Sequence, residues 1–199
     1  MSSPPNVFDP IARESRRRCL AWLATLLCGL PAAVRAHGRI GPVVPPQPAP
    51  DVGLWLDDGR PVGLRTLLQG RATAVQFMFT GCSAICPVQG ALFAQAQARL
   101  QARPAAREAR LLSLSLDPLG DTPAALAAWR QRHGADDVLW RAAVPRQLDA
   151  SQLMAAFNPG EPERDAHMTQ VYLFDRQARL VWRTAELPDP AEIADRLAP

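Results

Sequence analysis

The sequence predicts an α/β sandwich with a central mixed sheet, and three observations carry that prediction. Apolar runs of strand length alternate with alanine- and leucine-rich stretches of helical length. Glycine and proline stand where one kind of run gives way to the other. The chain closes on two apolar runs across a short polar loop and then a last helical stretch, the pattern of a terminal hairpin with a helix packed on it.

Each element can be justified in order. Leu54-Trp55-Leu56, the turn Asp57-Asp58-Gly59 and residues 60–64 form an N-terminal hairpin extension, because an Asp-Gly pair accepts the positive φ of a tight reversal. A short helical stretch follows and ends at Gly70, and residues 72–79 are a mostly apolar run suited to a buried strand. Residues 87–102 read as a helix with Pro87 in its first turn, where a missing N–H costs nothing. Residues 111–116 are a second buried strand, and residues 122–133 a helix with Pro123 early and Gly134 just past its end. A short strand at 138–141 and a helix at 148–157 precede Asn158-Pro159-Gly160. Strands at 170–174 and 180–183 pair across the loop at 175–179, and residues 190–197 close the domain as a helix. This order is that of a thioredoxin-like sandwich.

Composition narrows the function classes. The 199 residues are 48% apolar, ample for a packed core. All 22 basic residues are arginine, and the net charge is +3. Five of those arginines and two of the 19 acids fall within the first 36 residues, which leaves 17 of each beyond and no net charge there. No basic stripe with interleaved aromatics exists, so nucleic-acid binding has no support.

The N-terminus accounts for the surplus. Arg16-Arg17-Arg18, an apolar stretch from Cys19 to Leu30, then Pro31-Ala32-Ala33 and Val34-Arg35-Ala36 follow the order of a secretory signal, with cleavage after Ala36. The expected organisation is therefore a signal at 1–36, a proline-rich tether at 37–50 and the sandwich domain at 51–199. An uncleaved anchor over residues 19–34 is the alternative, although that stretch is shorter than the roughly 20 residues a spanning helix needs. Ser15-Arg16-Arg17 is a loose match to a twin-arginine signal, and bulky Leu27 before Cys28 argues against lipidation there. Five prolines between residues 42 and 50 predict an extended, polyproline-like tether. The expected location is exported and periplasmic.

Once the signal is discounted, Cys82 and Cys86 are the remaining thiols, in Phe79-Thr80-Gly81-Cys82-Ser83-Ala84-Ile85-Cys86-Pro87 at a strand-to-helix corner. Residues four apart share a helix face, and a helix N-terminus favours thiolate. Such a pair can exchange disulfides, or bind a soft ion such as Cu(I) with imidazole as a compatible third donor. A stapling disulfide is the plainer reading, but a bridge closing so short a loop restrains the unfolded chain little. Of the three histidines, His133 precedes Gly134 at a helix end and fits a structural role there, while His37 would begin the exported chain with only a minor claim. His167 lies in the loop feeding the strand at 170–174, beside the cysteine corner in a sandwich of this type, and is the preferred ligand. Asp121 reads as a helix N-cap or first-turn acid, and Asp117 as an acid that could orient the site.

These pieces together resemble the Sco/SenC family of copper chaperones for cytochrome oxidase assembly. The resemblance runs from about Leu54 to Ile193. It rests on Phe79-Thr80-Gly81-Cys82 through Cys86-Pro87, on Leu116-Asp117-Pro118 with Asp121-Thr122-Pro123, and on His167 before Val171-Tyr172-Leu173. It implies that Cys82, Cys86 and His167 bind copper, as Cu(I) and in some states Cu(II), with the cysteines also forming a redox-active pair. It further implies delivery of copper to, or reduction of thiols at, the dinuclear copper centre of an oxidase subunit, and contact with other periplasmic copper or thiol-redox proteins. The chain departs from the family pattern at Ser83 and Ala84, where a proline and an acid are usual, and at Ala166, which separates Asp165 from His167. Loss of a nearby carboxylate would weaken Cu(II) relative to Cu(I). A metal-independent thiol–disulfide oxidoreductase is the alternative and needs only the cysteines. A thiol peroxidase, drawing on Thr80 near Cys82, is a third and lacks a dedicated arginine.

Overall fold

A computed structural model describes residues 40–157 and 168–198. The expected export signal, His37, Asn158-Pro159-Gly160, Asp165, Ala166 and His167 lie outside these residues.

The expected thioredoxin-like α/β sandwich is present, with eight strands in one mixed sheet among the described residues. The strands are β1 (Gly41–Pro48), β2 (Gly53–Leu56), β3 (Pro61–Gly63), β4 (Ala72–Met78), β5 (Ala109–Ser115), β6 (Trp140–Pro145), β7 (Gln170–Phe174) and β8 (Arg179–Glu186). The helices are α1 (Leu64–Leu68), α2 (Cys86–Gln101), α3 (Pro123–Arg132), α4 (Ala150–Phe157) and α5 (Pro190–Leu197). The sheet order is β1-β8-β7-β4-β5-β6-β2-β3, so β4 and β5 lie at its centre. They run parallel to each other and β5 to β6, while β7 returns antiparallel beside β4.

Strand β4 is mostly apolar and buried from Thr73 to Met78 because both its faces are covered. Ala74 and Met78 point to one face, where α2, α3 and α5 contribute Phe93, Leu126, Trp129 and Ile193. Val75 and Phe77 point to the other, where α1 and α4 contribute Leu64, Leu68, Leu153 and Phe157. Phe77, Phe157 and Tyr172 meet edge to face there, with ring centroids 4.8 to 5.5 Å apart. Inside the first layer Gln76 Nε2 and Trp140 Nε1 both donate to Ser113 Oγ at 2.9 Å, while Gln76 Oε1 is buried without a hydrogen-bond partner.

The hairpin forms as expected, with Gly59 at φ +81° in its turn, and β2 continues the main sheet by pairing with β6. Asp57, next to that turn, is buried and ion-paired to Arg130 and Arg141, which fastens the hairpin to the end of α3.

Two expectations need correction. Residues 41–48, read as a free tether, form β1 against β8, with Val43 buried and Ala49 N–H donating to Ala178 O. A proline-rich segment already has extended backbone, and an edge strand tolerates its missing N–H groups. The register indeed shifts between Pro42 and Gln47, around Pro45 and Pro46. The strand expected at 138–141 begins at Trp140 because Asp136 Oδ1 accepts from the N–H groups of Val138 and Leu139, holding them in a turn.

Candidate metal and thiol site

Strand β4 ends at Met78 and α2 begins at Cys86, so residues 79–85 turn the chain from sheet to helix at the C-terminal edge of the sheet. Cys82 N–H donates to Phe79 O at 3.2 Å, which tightens the corner. Cys86 is 2% exposed, at the top of the first core layer beside Met78, and Cys82 is half-buried against the same layer. Both thiols are free.

The two sulfurs meet, though not as residues on one helix face. The residue flanking the helix start is Ile85, whose side chain offers no cap, and Cys82 lies in the loop before it. The loop folds back so that Cys86 N–H donates to Cys82 Sγ at 3.5 Å. Cys82 sulfur thus acts as the acceptor that the first turn of α2 otherwise lacks.

The two thiols differ electrostatically. Burial raises the Cys82 pKa, but hydrogen bonds from the Cys86 thiol and from the N–H groups of Cys86, Ala84 and Ile85 outweigh it and hold the thiol below its ordinary value. Burial and the hydrogen bond to Cys82 push Cys86 up to about 12. The pair is therefore an accessible, thiolate-prone sulfur over a buried, protonated one.

Asp121 underpins this corner. It is not the N-cap of α3; Thr122 is, its hydroxyl accepting from Ala125 N–H. The Asp121 carboxylate, 6% exposed, accepts from Thr80 N–H at 3.1 Å, from Thr80 Oγ1 at 2.5 Å and from Ser115 Oγ at 2.5 Å. It joins the end of β5 to the loop that carries Cys82. The sequence marked Asp121, but nothing local distinguishes a capping acid from one turned inward. Asp117 does not reach the cysteines: its Oδ1 accepts from Leu119 and Gly120 N–H and shapes the turn before Asp121.

His133 caps the end of α3 as expected, with its ring against Trp129 at 4.5 Å. Burial and Arg132 lower its pKa, which disfavours the cationic form that a helix-end role would use. The ring rests on Gly90 of α2, where a Cβ would lie 2.3 Å from it. This contact explains a glycine inside a helix.

Gln89 carried no signal in the sequence. It is buried on α2, three residues after Cys86, and its Nε2 donates to Met168 O at 3.0 Å. Thus α2 holds the residue that directly follows His167. Among the described residues no group of three or more His, Cys, Asp and Glu side chains is placed to hold a metal ion. Among them, too, no helix is long and apolar enough to cross a membrane.

A family model described as SCO1/SenC matches residues 53–199. No curated protein matches the chain in sequence. Several solved structures resemble it. Copper-bound ScoI from Bradyrhizobium japonicum is 20% identical with a TM-score of 0.61, over 75% of this chain and 97% of that one. A SCO1/SenC family lipoprotein from Bacillus anthracis is 26% identical with a TM-score of 0.63, over 77% and 97%. BsSco, described as a member of the Sco family of cytochrome c oxidase assembly proteins with a disulfide switch, is 21% identical with a TM-score of 0.58, over 70% and 83%. With the model spanning the whole sandwich from β2 onward and both cysteines at its strand-to-helix corner, the chain belongs to the SCO1/SenC family.

Proposed function

We propose that this protein is an exported, periplasmic metallochaperone that carries copper on Cys82, Cys86 and His167. It hands the metal to, or keeps reduced the thiols of, the dinuclear copper centre of a respiratory oxidase. Export rests on the signal pattern of residues 1–36, and tethering at the membrane would use residues 19–34 if they stay attached; the lipoprotein relative is consistent with a tethered state.

One observation carries the reading: two free sulfurs sit together at the start of α2, while Gln89 of that helix holds the residue next to His167. Two thiolates and an imidazole are a soft donor set suited to Cu(I). The half-buried Cys82 is the donor a receiving sulfur can reach, and the buried Cys86 keeps the other side of the metal away from water. Copper in the Bradyrhizobium relative and oxidase assembly in the description of BsSco support the same reading. The receiving partner is then an oxidase copper subunit.

The test is a Cu(I) titration of the reduced protein against a competing chelator, for wild type, C82A, C86A and H167A. Tight one-to-one binding lost in each variant is the expected result. Wild-type binding no stronger than that of the double cysteine variant overturns the proposal.

The unequal thiol pair favours a second reading, a metal-independent thiol–disulfide oxidoreductase. There Cys82 attacks a partner disulfide and Cys86 resolves the mixed disulfide. It predicts that H167A leaves the exchange rate intact.

A further inference from the structure

We infer that β1 is an edge guard: it occupies the pairing edge of β8 with a strand that cannot itself be extended, and so keeps a second copy of this chain from adding to the sheet. In the order β1-β8-β7-β4-β5-β6-β2-β3, β1 and β3 are the two edges. Four of the eight residues of β1 are proline, and β3 is three residues long and begins with Pro61. The six strands between them carry one proline, Pro145 at the end of β6. Proline is thus concentrated where an open backbone would otherwise recruit another strand.

Without β1 the edge would be β8, eight residues long, free of proline and carrying the run Leu180-Val181-Trp182 that suits strand pairing. An antiparallel edge is self-complementary, so the occupant it fits is β8 of a second copy, related by a two-fold axis. That edge is taken by β1, with Gly41 and Pro42 opposite Arg183 and Trp182, and Gln47 and Pro48 opposite Leu180 and Arg179. Contacts beyond the ladder fasten it. Val43 and Ala49 are buried in one apolar cluster with Ala178 and Leu180. Ala49 O accepts from Arg65 Nη2 at 3.2 Å, and Gln47 Oε1 accepts from Arg183 Nη2 at 3.2 Å. These contacts substitute for ladder bonds that proline cannot make.

A proline is tolerated in an edge strand when its nitrogen faces away from the neighbour, so the donors that β1 lacks are those of its open side. The register also shifts between Pro42 and Gln47, which denies an incoming strand a straight template. The guard lies N-terminal to residues 53–199, the part of the chain that matches the family model.

The experiment compares the full chain, kept reduced so that no intermolecular disulfide forms, with V43D/A49D, in which two carboxylates at buried positions expel β1 from β8. Light scattering after gel filtration should give a monomer for wild type and twice that mass for the variant. Association should stop there, because β3 remains blunted at the other edge. Hydrogen exchange places the contact: amides at 180–184 should stay protected in the variant dimer and lose protection when dilution returns it to monomer. A folded but monomeric V43D/A49D, a dimer whose β8 amides exchange freely, open-ended aggregation, or a wild type that already has the doubled mass each overturns the inference. Should V43D/A49D fail to fold, P42T/P48T leaves β1 docked and returns N–H donors to its open side. A doubled mass in that variant supports the guard, and an unchanged monomer overturns it.

Discussion

Removal of the Asp121 carboxylate tests how the cysteine corner is held. In D121A the Thr80 N–H, the Thr80 hydroxyl and the Ser115 hydroxyl lose their shared acceptor at a site only 6% exposed. Hydrogen bonds to a charged acceptor contribute about 1.5–3 kcal/mol each. The two hydroxyls can rotate toward other acceptors, whereas the Thr80 N–H is fixed by the backbone and is left unpaired. The expected loss is therefore about 3 kcal/mol rather than the sum of three bonds, a large share of the roughly 5–15 kcal/mol that holds a domain folded. D121N keeps an acceptor for the Thr80 N–H and should lose about 1 kcal/mol. Urea unfolding of the reduced proteins, followed by circular dichroism, measures both, and alkylation of Cys82 in native buffer should quicken in D121A as the corner loosens. A D121A protein within about 0.5 kcal/mol of wild type would refute the clamp.

Two further outcomes follow from the thiols and the helix packing. In native buffer at neutral pH, one equivalent of iodoacetamide should modify Cys82 alone by mass spectrometry, since burial holds Cys86 protonated with a pKa near 12. That raised value stabilises the reduced fold fully below the ordinary thiol pKa of 9.0, and the contribution is lost as pH rises toward about 12; alkaline unfolding curves should flatten over that window in C86A. At the contact between α2 and α3, G90A should destabilise by about 1–3 kcal/mol because the new methyl meets the His133 ring, and H133A in the same chain should recover part of that in thermal melts.

Much of the fold was legible because periodicity reports burial. The run at 72–79 suited a strand covered on both faces, and Pro87 and Pro123 marked helices whose starts the structure places one residue from those expected. The cysteine pair was legible because thiols are rare in this chain and their position at a strand-to-helix corner is a local property. Asp121, Gln89 and β1 were not. An acid before a helix reads as a cap, a glutamine within an alanine-rich helix reads as surface, and a proline-rich segment reads as a spacer, since each of their true partners is distant in sequence.

The amino-acid order alone thus determined the alternation of strands and helices, the corner carrying Cys82 and Cys86, and the family these resemble, because all three depend on neighbours a few residues apart. Only the tertiary structure decided that Cys82 sulfur lies over the first turn of α2, that Asp121 turns inward to Thr80 and Ser115, and that Gln89 grips the carbonyl of Met168. Those contacts join residues up to 79 positions apart, and a hydrogen bond across that interval exists only once the core has packed and brought donor and acceptor within reach.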